Sequence, residues 1–195
     1  MIKLCRVDHR LLHGQVAFSW TNELNADCIL IANDAVVHDE VFKTTMKLAK
    51  PSGVKLVIKS LEDSIKAINS GVTDKYRLLV VVKTIHDANI LSAGCSSVKS
   101  INLGGTIRRE GYRQISKAIF INDEDEAELK ELQDRGVSVF IQQLPAETAV
   151  ELEHVLHREN SSLPVLCSGS KYNRKYIPDK GMKMRRRRKS WYKHV

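Results

Sequence analysis

Short unbroken apolar runs recur along this chain, separated by stretches whose apolar residues return every three or four positions. Cys28-Ile29-Leu30-Ile31-Ala32 and Leu78-Leu79-Val80-Val81-Val82 leave no polar face at all. A strand with two apolar faces needs cover on both sides, which a parallel sheet between two layers of helix provides. Met1 to Arg6, Leu56-Val57-Ile58, Ser100-Ile101-Asn102-Leu103, Ala118 to Ile121 and Val137 to Ile141 read as further strands. Helices are predicted between them. The first carries the stripe Val16, Trp20, Leu24, and the second runs from about His38 to Lys50, where Pro51 and Gly53 stop it. The third is capped by Ser60 and ends at Gly71, and the fourth, Ile85 to Ala93, ends at Gly94. An acidic helix from about Glu124 to Arg135 begins at Asn122 or Asp123 and ends at Gly136. The pattern specifies an α/β fold: an open, mostly parallel sheet with helices on both faces, in three layers, with Leu78 to Val82 at its centre.

In such sheets ligands bind beyond the carboxyl ends of the strands. Arg6, Asp8, His9, Arg10 and His13 place five ionisable side chains within eight positions, where the first strand meets the first helix. The first turn of a helix has unpaired N–H groups and a positive dipole end, so it favours an anion such as phosphate. Arginines add charge and forked donors, and a partly neutral imidazole can attack phosphorus without a metal. His13 is the candidate nucleophile. The residues alone leave a second reading open, in which Arg6, Asp8 and Arg10 form a solvated ion-pair cluster and His13 caps the turn.

The run R-V-D-H-R-L-L-H-G-Q-V followed by Trp20 resembles the active-site segment of the IIB subunits of the mannose/fructose/sorbose family of the bacterial sugar phosphotransferase system. Asn33-Asp34-Ala35-Val36 with Asp39, Lys50-Pro51 with Gly53-Val54, Asn102-Leu103-Gly104-Gly105 and Gln143-Leu144-Pro145 agree in order. The resemblance spans about residues 1–157. It implies that His13 takes phosphate from a phosphohistidine on a IIA partner and passes it to a sugar of the mannose, fructose, sorbose or amino-sugar class, held by membrane IIC/IID subunits. It also implies a possible homodimer. His9 departs from the family pattern, which has a second aspartate there; a negative charge beside the nucleophile is lost.

Phosphoryl transfer needs positioning and neutralisation of charge. Arg10 is therefore expected to contact phosphate or a partner, and Arg6 to brace the loop. Gly104 and Gly105 would let backbone N–H groups approach the phosphate. Asp8 or Asp34 would hold the imidazole tautomer through its other ring nitrogen; the simpler reading of Asp34 is a turn former. Lys83 and Thr84 follow a strand at the same rim, or simply start a helix. No dinucleotide fingerprint or phosphate-binding P-loop occurs, so no nucleotide cofactor is expected. No metal site is expected either: His38 and His86 stand alone, and His154 with His157 lacks a third ligand.

At 195 residues and 43% hydrophobic content, the chain has material for one such domain and a tail. Its net charge of +8 is concentrated. Residues 171–195 hold eleven Lys or Arg against one Asp, a net of +10, which leaves the first 170 residues at −2. The expected organisation is a domain over residues 1–157 and a strongly basic extension over 158–195. Nucleic acid is not the expected partner of the domain. Cys5, Cys28, Cys95 and Cys167 form no C-x-x-C pair, and no leader or membrane-spanning run is evident. A cytoplasmic protein, peripheral to the inner face of the membrane through its partners, is expected. A regulatory or nucleic-acid-associated binding protein, retaining the phosphohistidine site and using its basic tail, is the alternative.

Overall fold

The computed structural model describes residues 1–160; the greater part of the expected basic extension, from residue 161, lies outside the described residues. Nine strands and six α-helices follow one another among the described residues. They are β1 (Ile2–Asp8), α1 (Gly14–Glu23), β2 (Cys28–Ala32), a 3-10 turn (Val36–His38), α2 (Glu40–Ala49), β3 (Lys55–Lys59), α3 (Leu61–Asn69), β4 (Leu78–Val82) and α4 (Ile85–Gly94). Then come β5 (Ser100–Gly105), β6 (Arg113–Ser116), β7 (Ile119–Ile121), α5 (Asp123–Asp134), β8 (Ser138–Ile141), β9 (Val150–Glu151) and α6 (Leu152–Asn160).

The main sheet has the order β3-β2-β4-β1-β5-β8-β9 and is parallel except for β9, which pairs antiparallel with β8. The α/β fold with helices on both faces is the one the sequence predicts. β4 lies inside the sheet, between β2 and β1, but β1 holds the middle place. Side chains alternate strictly between two cores. Cys5, Val7, Leu30, Val80, Val82, Ile101 and Leu103 pack with Leu61, Ile85, Leu91 and Leu129 from α3, α4 and α5. Leu4, Ile29, Ile31, Leu79 and Val81 pack with Ala17, Trp20 and Met46 from α1 and α2. The chain steps outward from β1 to β3 with helices on one face. It then returns and crosses β1 with helices on the other, as right-handed crossovers require. The connections therefore part company at the carboxyl end of β1, which is where a crevice forms.

Helix ends follow their chemistry. Ser60 accepts from the Asp63 N–H, and Thr84 and Asn122 each build a reciprocal capping box with Asp87 and Asp125. Two readings are corrected. Residues 118–121 do not join the main sheet: β7 pairs antiparallel with β6 in a separate two-stranded ribbon. A parallel return from β5 needs a crossover of about a dozen residues or more, usually helical, and α5 supplies it only after the ribbon. The first strand also does not stop at Arg6 but runs on to Asp8, so Asp8 belongs to the strand rather than to a loop after it.

Candidate active site

The alternation along β1 sends Arg6 and Asp8 to the same side as Leu4, under α1. Both are buried, at 1% and 0% exposed. Two ionised groups can be buried together only if each is neutralised and its hydrogen-bonding capacity is largely met. Arg6 Nη2 donates to Asp8 Oδ2 at 3.0 Å and to the Gln143 carbonyl at 3.2 Å. Nη1 donates to Asn102 Oδ1 and to the Gln142 carbonyl. The Arg6 guanidinium also lies 5.3 Å from the centre of the Trp20 ring, whose indole N–H donates to the same Gln143 carbonyl. This network ties β1, α1, β5 and the segment after β8 together.

Asp8 is the hub. Oδ1 accepts the Arg10 backbone N–H at 3.1 Å and has Arg10 Nε 3.6 Å away. Oδ2 lies 3.3 Å from His13 Nε2. Burial alone would raise the Asp8 carboxyl; Arg6, the Arg10 N–H and His13 outweigh it and hold the group below the usual carboxylate range. Burial lowers the Arg6 guanidinium, and Asp8 opposes that shift. For His13, burial is again the largest influence and lowers its pKa; Asp8 acts against it, while Arg10 and Arg6 add to it. His13 is thus kept neutral at physiological pH.

Local geometry presents that imidazole. The Leu11 N–H closes a turn on the Asp8 carbonyl, and Leu11 adopts φ 56°, an uncommon conformation for a branched residue. The turn carries the Leu11 and Leu12 side chains into the core beneath α1. Burial worth roughly 2 kcal/mol per leucine offsets a strain of about 1–2 kcal/mol. His13 then stands as the extended N-cap of α1, with its side chain capping no backbone N–H. It is partly exposed beside a helix start that has its own orphan donors.

The other candidates fall into place around this centre. Arg10 is half exposed at the mouth. Gly104 makes room for the Arg6 guanidinium: a Cβ there would lie 2.0 Å from Arg6 Cζ. The Gly105 carbonyl accepts the His9 N–H. Asp34 is bonded elsewhere, its Oδ1 accepting the Leu61 N–H at the start of α3; of the two carboxylates considered for the imidazole, Asp8 is the one beside it. Asn102 and Gln142 are tied to the charged network and had no role there read from the sequence, and Trp20, read as part of the helix stripe, joins them. An isolated Asn inside an apolar strand, at a position facing Arg6, was the available signal. Cys5, Cys28 and Cys95 are buried free thiols away from this network, and burial pushes Cys5 up to about 12. Among the described residues no helix is long and apolar enough to cross a membrane.

Comparison with known proteins points the same way. The family model described as "PTS system sorbose subfamily IIB component" matches residues 2–165. A probable phosphotransferase enzyme IIB component of Streptococcus pyogenes serotype M6 is 37% identical over 163 residues, covering 80% of this chain and all of that one. The N-acetylgalactosamine-specific phosphotransferase enzyme IIB component 2 of Escherichia coli K12 is 34% identical over 155 residues, 80% of this chain and 98% of its own. The crystal structure of the IIBSor domain of the sorbose permease from Klebsiella pneumoniae superposes with a TM-score of 0.77 at 29% identity, covering 84% of this chain and 98% of that one. With the model matched across the whole α/β domain, the chain belongs to the sorbose-subfamily IIB components of the sugar phosphotransferase system.

Proposed function

We infer that His13 is the phosphoryl carrier of this IIB component. It accepts phosphate from a phosphohistidine on a IIA partner and delivers it to a hydroxyl of a sugar held by membrane IIC/IID subunits. The observation that carries the reading is the contact of Asp8 Oδ2 with His13 Nε2. With Asp8 accepting from Nε2–H, the lone pair is left on Nδ1, which becomes the attacking atom. A P–N bond forms at Nδ1 as the donor's P–N bond breaks. In the second step a sugar oxygen attacks phosphorus as the P–N bond at Nδ1 breaks, the hydroxyl proton passes to solvent, and His13 leaves as neutral imidazole. Arg10 and the first turn of α1 neutralise the equatorial oxygens, while Arg6 holds Asp8 ionised. Gly104 and Gly105 serve by shaping the strand end around Arg6 and His9, and Asp34 by fixing the neighbouring start of α3.

The same reading places the protein in the cytoplasm, at the inner face of the membrane through its partners. It assigns the relay to a domain over about residues 1–157, with 158–195 as an extension outside it. The sugar belongs to the mannose, fructose, sorbose or amino-sugar class; the N-acetylgalactosamine specificity of one relative falls within that range. A homodimer is the accompanying state, to be measured by sedimentation.

Intact-mass analysis after incubation with phosphoenolpyruvate, the general phosphotransferase proteins and a cognate IIA tests the relay. Wild type should gain one acid-labile phosphate and His13→Ala none. With partners shown to be active, an unmodified wild type would remove the relay reading.

A further inference from the structure

A cavity with charged side chains in its wall opens at the same rim of the sheet, on the face of β1 opposite α1. The alternation that puts Arg6 and Asp8 under α1 carries His9 the other way, toward the α4 and α5 side where Val7 packs. There His9, Lys83, Thr106, Arg109, Tyr112 and Asp125 surround a concave space. His9 Nδ1 is buried and has no hydrogen-bond partner among the described residues. A buried ring nitrogen without a partner is unfavourable unless something supplies one. The side chains of Lys83 and Arg109 likewise have no hydrogen bond or ion pair among the described residues; Arg109 has only the charge of Asp125 in electrostatic reach. Thr106 is already committed, its hydroxyl bonded to the Phe120 backbone.

The geometry points to a second ligand site in this cavity, for a phosphate monoester of a polyhydroxylated molecule, the class that includes phosphorylated sugars. Lys83 and Arg109 supply a point charge and a planar fork for phosphate oxygens. Tyr112 and His9 Nδ1 are further polar groups in the wall, placed to meet the hydroxyls of such a molecule. Asp125 argues against an anion without hydroxyls, because a carboxylate in the wall repels it but accepts from a sugar O–H. His13 is not among the residues lining this cavity. That its ligand belongs to the product class of the relay rests on the function proposed for His13.

Calorimetric titration of the full chain tests the site, using a hexose 6-phosphate, inorganic phosphate and the unphosphorylated hexose in turn. The hexose phosphate should bind wild type and His13→Ala alike, and bind more tightly than either fragment. Lys83→Ala and Arg109→Ala should each weaken it roughly tenfold or more. Both side chains reach the surface, and circular dichroism melts confirm that the variants fold. The substitutions leave residues 171–195 intact, so anion binding by that basic stretch would survive them. Binding that survives both substitutions, or none at millimolar ligand, overturns the site. Equal affinity for inorganic phosphate overturns the phosphosugar assignment. Because binding is read in His13→Ala, failure of the relay does not affect the result. Phosphorylation of His13 in Lys83→Ala shows conversely whether the relay stands without the cavity.

Discussion

Gly104 lies against the guanidinium of Arg6 so closely that a methyl group in place of its α-hydrogen would sit 2.0 Å from Cζ. The arginine is buried and fixed through Asn102, Asp8 and two backbone carbonyls, so it cannot swing aside as a surface arginine would. Gly104→Ala should therefore destabilise the fold by roughly 2–4 kcal/mol, measured by urea denaturation. In an Arg6→Met background the same change should cost much less, because the colliding group is gone. Equal costs in the two backgrounds would show that the contact is not what selects glycine.

Asp8→Asn preserves shape but removes the charge that faces Arg6 and the acceptor that faces His13. Leaving Arg6 buried without its partner should cost roughly 3–5 kcal/mol. In protein that still folds, phosphorylation should slow by roughly 10–100-fold, as when a supporting carboxylate is lost behind a histidine ligand. Rapid-quench measurement of phosphoryl uptake separates that slowing from the stability loss.

Acid should weaken the domain through both groups. The folded pKa of Asp8 is depressed, so its stabilisation is complete above the ordinary carboxylate range and lost as pH falls through the folded value. His13 is also depressed from 6.5, so the folded state resists taking up a proton that the unfolded chain accepts. Stability then declines as pH falls below about 6.5 toward the folded His13 value. His13→Ala should flatten that upper part of a melting-temperature profile and leave the lower part. If His13 is the carrier proposed above, phosphoryl uptake should keep its full rate to a pH below 6.5, because the imidazole stays neutral.

Arg10 is half exposed, and its Nε lies 3.6 Å from Asp8. Arg10→Ala should change stability by less than about 1 kcal/mol, yet raise the KM for the phosphorylated IIA donor. Arg10→Lys should recover only part of that loss, since an ammonium cannot span two phosphate oxygens in one plane. A KM unchanged in both variants would remove Arg10 from the docking and phosphate roles.

Asp34 gives the opposite pattern. Its carboxylate receives the Leu61 N–H at 2.8 Å, so Asp34→Ala should cost roughly 1 kcal/mol, the scale of a lost helix-start bond. The rate of His13 phosphorylation should stay at the wild-type level, as measured by intact mass over time.

Apolar patterning was enough to determine the α/β class, because a strand such as Leu78–Val82 must be covered on both faces. Helix boundaries at Ser60, Thr84 and Asn122 were equally local matters, decided by which side chain can cap the next turn. The crowded charges from Arg6 to His13 marked the rim where an anion would sit. Tertiary structure alone decided the rest. Asp8 looked like a loop residue because charges seldom enter a sheet; it stays in β1 beside Arg6 because Asn102 and the Gln142 and Gln143 carbonyls, far along the chain, meet the guanidinium that neutralises it. Residues 118–121 have the composition of a central strand, and only the absence of a crossover before them sends them into a ribbon. Asp8 was selected over Asp34 by which strands lie side by side: β1 brings its carboxylate to the imidazole, whereas the chain after β2 turns Asp34 toward α3. Local chemistry follows from neighbours in the sequence, but burial and charge pairing depend on distances in space that no stretch of sequence contains.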